Sequence, residues 1–208
     1  GDLLAEGSYR AGEIIGNGAT ELSMTCKKQE MPAHMPQYKP SLAVIYSVNP
    51  FGADHQSSEH DGSLFYASDT KEKSWMSQIG GNFSVDEEDA LELNPKNVVW
   101  GYNSQKFFSA LDTLCLCQFV WGPAWQLYGP EQLGQFCKTA IGWDTSVYEI
   151  MEIGERRLNM MRCYNAREGF TKENDTLPKR LFIPLQDGIS RGSCIDRDKY
   201  EEGKNLYY

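Results

Sequence analysis

The sequence predicts a mostly α, multihelical domain with an extended C-terminal wrap. Several segments repeat apolar residues at helical spacing between capping and stop residues. No segment keeps up the apolar–polar alternation of a half-buried strand, and no internal repeat appears. From Asn165 onward the chain is broken by Pro178, Pro184, Gly188 and Gly192, as in extended chain laid over a helical body. The 208 residues, 40% apolar and 12% aromatic, can bury a large core and do not have a disordered composition.

In order, the first helix is expected over Asp2–Gly18, with Leu4, Ala11, Ile14 and Ile15 on one face and Gly16 or Gly18 as the stop. Pro32, Pro36 and Pro40 keep Glu30–Pro40 irregular. Leu42–Val48 is an apolar run that periodicity alone leaves as helix or strand, closed by the turn Asn49-Pro50-Phe51-Gly52. His55–Asp89 is polar and reads as a long loop, a kind of segment that is usually functional. A long helix begins at Asn94, with Pro95 at its first position, and runs through Val98, Tyr102, Phe108 and Leu111 towards Cys115. Another fits Pro130–Ile141, with Leu133, Phe136, Cys137 and Ala140 on one face and Gly142 as its stop. A further helix starts near Asp144 or Thr145 and carries Val147, Ile150, Met151, Leu158 and Met161.

Charge and length narrow the function classes. With 29 acidic and 20 basic residues the net charge is −9, which argues against nucleic acid or an anionic membrane as partner. The longest apolar runs, Leu42–Tyr46 and Leu114–Cys117, are too short to span a bilayer, and the first residues do not resemble a signal peptide. The expectation is a soluble cytoplasmic protein. The six cysteines are too sparse for a disulfide scaffold and read as reduced thiols.

The segment Asp112-Thr113-Leu114-Cys115-Leu116-Cys117 places one acid and two thiols at the end of an apolar helix. A carboxylate there is costly to bury without a donor partner, such as a heterocycle with an amine and a ring N–H. A thiolate there suits a soft metal or an iron–sulfur cluster. The plain alternative is a core cysteine pair beside a solvated Asp112. His34, His55 and His60 lie in one region, flanked by Asp54, Glu59 and Asp61. One of them can serve as a proton donor, or His55 and His60 can join Cys115 and Cys117 in a zinc site, or all three can be surface residues. The clusters Glu155-Arg156-Arg157 and Lys179-Arg180 read as solvated faces.

Taken in order, these pieces resemble the C-terminal part of the tungsten-containing aldehyde ferredoxin oxidoreductase family. The resemblance runs through Leu3-Leu4-Ala5-Glu6-Gly7, Glu30-Met31-Pro32-Ala33-His34, Tyr46–His55 and Asp112–Cys117. It continues through Gly142-Trp143-Asp144, Ile153-Gly154-Glu155-Arg156, Asn165-Ala166-Arg167-Glu168-Gly169, Asp175–Arg180 and Tyr207-Tyr208. It implies the last helical domain of an enzyme that oxidises an aldehyde or related substrate to the acid. The resemblance further implies tungsten (or molybdenum) held by two pterins, and a 4Fe-4S cluster that passes electrons to ferredoxin or a partner subunit.

By the same resemblance Asp112 is the acid of the Asp-x-x-Gly-Leu-Cys motif and binds a pterin, Leu116 is its Leu, and Cys117 is the fourth cluster ligand. His55 matches the active-site histidine that donates a hydrogen bond or proton to the substrate oxygen. The sequence departs from the family pattern at Cys115, which stands where the motif has Gly. It departs also at Met35 and Gln37, which replace the Asp and Arg usual after Pro-Ala-x, and at Phe51, which replaces an Arg. The other three cluster ligands, a Cys-x-x-Cys-x-x-x-Cys set, have no counterpart here. The chain, closing on Leu206-Tyr207-Tyr208 as if in mid-element, is therefore expected to be truncated at both ends and inactive alone. An uncovered apolar patch over Trp121–Trp125 and self-association into a homo-oligomer, or else disorder within His55–Asp89, are expected with it.

Overall fold

A computed structural model of the protein describes residues 1–63, 70–80 and 90–208. Eight α-helices occur among them: α1 Asp2–Ala5, α2 Gly7–Ile15, α3 Ser41–Val48, α4 Thr70–Gln78, α5 Pro95–Thr113, α6 Pro130–Ile141, α7 Val147–Arg167 and α8 Arg197–Tyr207. The multihelical class is as the sequence predicts.

The long helix α5 organises the rest. Asn94 caps it by accepting from the backbone N–H groups of Lys96 and Asn97, with Pro95 in the first turn. One side of α5 lies in a cluster with Trp100, Phe107, Phe108 and Leu111, joined by Leu133 and Cys137 of α6 and Ile150 and Met151 of α7. At its N-terminal end, Val98 belongs to a second cluster with Leu42, Val44 and Tyr46 of α3, Leu177, Leu181, Ile195, and Tyr200 of α8. All eight residues of α3 are buried, so no polar face marks its period, and this is why the sequence left it as helix or strand. The helices α5 and α7 make the most extensive pairing. Gly154 makes it possible: a Cβ there would lie 1.7 Å from the carbonyl oxygen of Lys106.

Several boundaries differ from expectation. The first helix breaks at Glu6 into α1 and α2, because Gly7 takes a left-handed φ of 83°. Its apolar face is not packed: Leu4, Ile14 and Ile15 are 83%, 57% and 60% exposed. A two-residue hairpin, β1 Thr25–Cys26 with β2 Gln29–Glu30, turns through Lys27 and Lys28, both at positive φ. That is the left-handed two-residue turn geometry, made here without its usual Asn-Gly signal, so the sequence did not betray it. The interval 55–89 is not wholly loop, since α4 lies within it; residues 64–69 and 81–89 fall outside the described part. Helix α7 reaches Arg167, past the expected break at Asn165. The tail ends not as extended wrap but in α8, capped by Asp196 and packed on α3 and α5. Ala140 of α6 is exposed rather than buried.

Candidate functional site

Three pieces meet around the end of α5: the residues after its last turn, the loop that follows them, and the histidine-bearing stretch after α3. Asp112 lies in the last turn of α5. Its Oδ2 pairs with Nη1 of Arg157 on α7 at 3.3 Å, and its Oδ1 accepts from Nε2 of Gln118 at 3.2 Å. Arg157, expected on a solvated face, is instead the cation beside this carboxylate; neighbouring Glu155 takes Lys106 at 2.7 Å and Tyr102 Oη at 2.8 Å. Partial burial pushes the Asp112 carboxyl up from its ordinary value, and Asp54 adds to this, while Arg157 and Gln118 oppose it.

Beyond α5 the chain reverses at Cys115, a non-glycine residue held at φ 56°. This is the position at which the family motif has Gly, and the left-handed backbone supplies the reason for that preference. Leu116 turns inward against the cluster around α5, which leaves the thiols of Cys115 and Cys117 both exposed. The carbonyl of Cys117 accepts from the N–H groups of Val120 and Trp121, starting a loop that Trp121 and Tyr128 close.

That loop is tied to the histidine segment by one buried acid. Glu59, 5% exposed, accepts from Nε2 of Gln126 at 2.9 Å and from Nε1 of Trp125 at 3.3 Å. Burial raises its carboxyl's pKa against these donors. The backbone N–H of Glu59 donates to Ser104 Oγ of α5 at 3.0 Å. The apolar patch expected over Trp121–Trp125 is therefore shifted. Ala124 is buried and Trp121 packs on Tyr128 and Phe136, while Phe119, Trp125, Leu127 and the rest of Tyr128 are exposed.

His55 follows the turn Asn49–Gly52, where Gly52 has φ 96° and a Cβ would lie 2.5 Å from the Cys26 carbonyl oxygen. The three histidines do come together: the ring centroid of His34 is 4.7 Å from that of His55 and 4.6 Å from that of His60. Lys39, which sequence reasoning missed, sits between them, with Nζ 2.8 Å from Nδ1 of His34 and 2.9 Å from Nδ1 of His60. An ammonium has only donors, so both Nδ1 atoms accept and each ring carries its hydrogen on Nε2. From there His60 donates to the carbonyl oxygen of His55 at 3.0 Å. Burial first, and then the charge on Lys39, hold His34 below its ordinary pKa and push His60 down to about 4. Lys39 itself is lowered by burial, against the attraction of Asp61 and Glu59.

The zinc alternative is not assembled: no group of three or more His, Cys, Asp or Glu among the described residues is placed to hold a metal ion. The site does fit a heterocycle and a shared cluster. The Asp112 carboxylate is part desolvated yet 40% exposed, so it has an open side for N–H donors, and the Cys117 thiol is exposed and outside any disulfide.

The model of domains 2 and 3 of aldehyde ferredoxin oxidoreductase matches residues 1–208. The chain belongs to the aldehyde ferredoxin oxidoreductase family. It is 30% identical over 201 residues to the tungsten-containing aldehyde ferredoxin oxidoreductase of Pyrococcus furiosus, covering 94% of this chain and 29% of that protein. It is similarly related to the proteins of the same name from Pyrococcus abyssi (31% identical) and Thermococcus kodakarensis (30%), again over 94% of this chain and 29% of each relative. The chain thus spans under a third of the length of these relatives. No helix among the described residues of this family member is long and apolar enough to cross a membrane.

Proposed function

We propose that this chain forms the helical part of a tungsten (or molybdenum) bis-pterin oxidoreductase that converts an aldehyde or related substrate to the acid. The observation that carries the reading is the Glu59 clamp. It joins the loop after Cys117 to the histidine segment, so the chain that carries the exposed Cys117 thiol and the chain that carries His55 are tied to one another. When bound, the pterin-held metal would supply the two-electron oxidation, and the 4Fe-4S cluster would carry electrons singly to ferredoxin or a partner subunit.

The chain's own residues have the following roles. Asp112 accepts N–H donors of a pterin, and Arg157 beside it favours the carboxylate form against the effect of burial. Leu116 anchors the turn in the core so that Cys117 faces outward as one cluster ligand. His55 donates a hydrogen bond or proton to the substrate oxygen, with its backbone held by His60. The three remaining cluster ligands come from elsewhere in the full-length cytoplasmic protein, and the 208 residues alone are catalytically inactive.

The test is metal and cofactor analysis of the full-length protein. Cys117→Ser should lose the cluster's iron and its paramagnetic signal, and Asp112→Asn should lose bound pterin while the fold's circular dichroism is kept. A Cys117→Ser variant with a full four-iron complement would overturn the assignment.

A further inference from the structure

The three imidazoles of the histidine cluster stand in unequal positions, and one lysine makes them so. Lys39, partly buried, places Nζ 2.8 Å from Nδ1 of His34 and 2.9 Å from Nδ1 of His60. An imidazolium has no acceptor, so while Lys39 is an ammonium both rings are neutral, and a turn of either would strand a donor. Asp61 and Glu59 favour that ammonium against the effect of burial.

Each of the two rings fixed in this way holds His55. His34 lies against its ring, with centroids 4.7 Å apart and planes 32° from parallel. His60 donates from Nε2 to the His55 carbonyl oxygen at 3.0 Å, and its ring centroid is 6.2 Å from that of His55. A neutral ring beside His55 does not oppose a proton there, whereas an imidazolium at the same distance would.

We infer that Lys39 is the positioning residue of the proton donor His55: it locks His34 as the ring against which His55 is seated and His60 as the anchor of its backbone. This role rests on the proposed function for the donor task of His55, while the lock itself rests on the contacts of Lys39. A side chain without N–H donors at position 39 leaves two partly buried Nδ1 acceptors unmet and frees both rings to turn or to take up protons of their own. Displacing a donor by about 1 Å is enough to cost rate, and the binding of substrate need not suffer with it. Lys39 also lines a cavity of about 220 Å³ with Glu59, His60, Asp61 and Trp125, so a small amine has room to reach the same place.

The test uses the full-length protein with benzaldehyde and a dye acceptor. Lys39→Met should lower kcat about tenfold and leave KM within about twofold. Lys39→Ala should lose kcat similarly and recover it about threefold or more in ethylammonium, but not in tetramethylammonium, which carries the charge without an N–H. A lysine that merely supported the fold would show neither the split nor the recovery. Titration of 15N-labelled histidines supplies a readout without turnover. The charged and titratable groups around the three rings are Lys39, Asp61, Glu59 and Asp54, which precedes His55 in the chain. Without the Lys39 charge, His60 should take up its proton about one pH unit above its present value of about 4. Unchanged kcat in Lys39→Met, no recovery of Lys39→Ala in ethylammonium, or a lost kcat with His60 titrating as in the wild type would overturn the inference. The expected shift of His60 in a protein with no aldehyde oxidation would instead sink the proposed function and leave the lock standing.

Discussion

Cys115 bears a backbone cost that a glycine would not. A left-handed φ costs a residue with a Cβ about 1–2 kcal/mol, and glycine's greater unfolded entropy returns part of that. Cys115→Gly is therefore expected to raise stability by about 0.5 kcal/mol in urea unfolding; a loss would mean that the thiol makes a compensating contact. His60 sets a pH dependence. Its folded pKa of about 4 lies below the ordinary 6.5, so the unfolded chain takes up the proton first as pH falls. Stability is thus lost between about pH 6.5 and 4, and His60→Gln should flatten that part of the melting-temperature profile. Asp61, raised to about 6 by complete burial, works in the opposite sense: its ionisation in the fold costs stability as pH rises through that value. The comparison must therefore be of wild type against the single variant, not of one profile alone.

Two helices owe their placement to residues that are distant in sequence. Helix α3 begins at Ser41 after Pro40, whose side chain cannot cap it, and Asp61 takes over that task. Its Oδ2 accepts from Ser41 N at 3.1 Å and from Ser41 Oγ at 2.7 Å, while Oδ1 accepts from Asn97 of α5 at 2.8 Å. An anion at a helix N-terminus is favourable in itself, and here it also joins two helices. The crossing of α5 and α7 depends on Gly154 in the same way. Ser109 Oγ donates to the carbonyl oxygen of Gly154 at 2.9 Å, a reach possible only because no side chain intervenes. Gly154→Ala would set a methyl against the Lys106 carbonyl and should destabilise by about 3 kcal/mol. It should also disturb Asp112, since Arg157 lies one turn along the same helix. A variant with unchanged unfolding midpoint would contradict this packing.

At the scale of the whole molecule, Asp175 binds the separate pieces together. Its side chain, 6% exposed, pairs with Lys27 from the hairpin, Arg162 from α7 and the hydroxyl of Tyr208, and its backbone oxygen accepts from Tyr200 and Lys204 of α8. Removing one partner of a buried ion pair strands the other, at a typical cost of 3–5 kcal/mol. Asp175→Asn should accordingly cost about 3 kcal/mol and speed proteolysis of the C-terminal helix. Equal protease resistance would show that α8 is held by its apolar face alone.

The helical class, the long helices and their caps were legible in the sequence, because Asn94-Pro95, Gly142 and the apolar spacing are local signals read within a few residues. That an acid and two thiols close a long helix was legible as a pattern of residue types, and Asp112 does lie in the last turn of α5 with Cys115 and Cys117 just beyond it. What the sequence could not determine was contact between residues far apart in the chain. Lys39 between two imidazoles, Glu59 holding the loop after Cys117, Arg157 against Asp112 and the unpartnered Gln37 all depend on burial and distance. Charged side chains leave no periodic trace of whether they meet solvent or one another, and only the packed structure decides that.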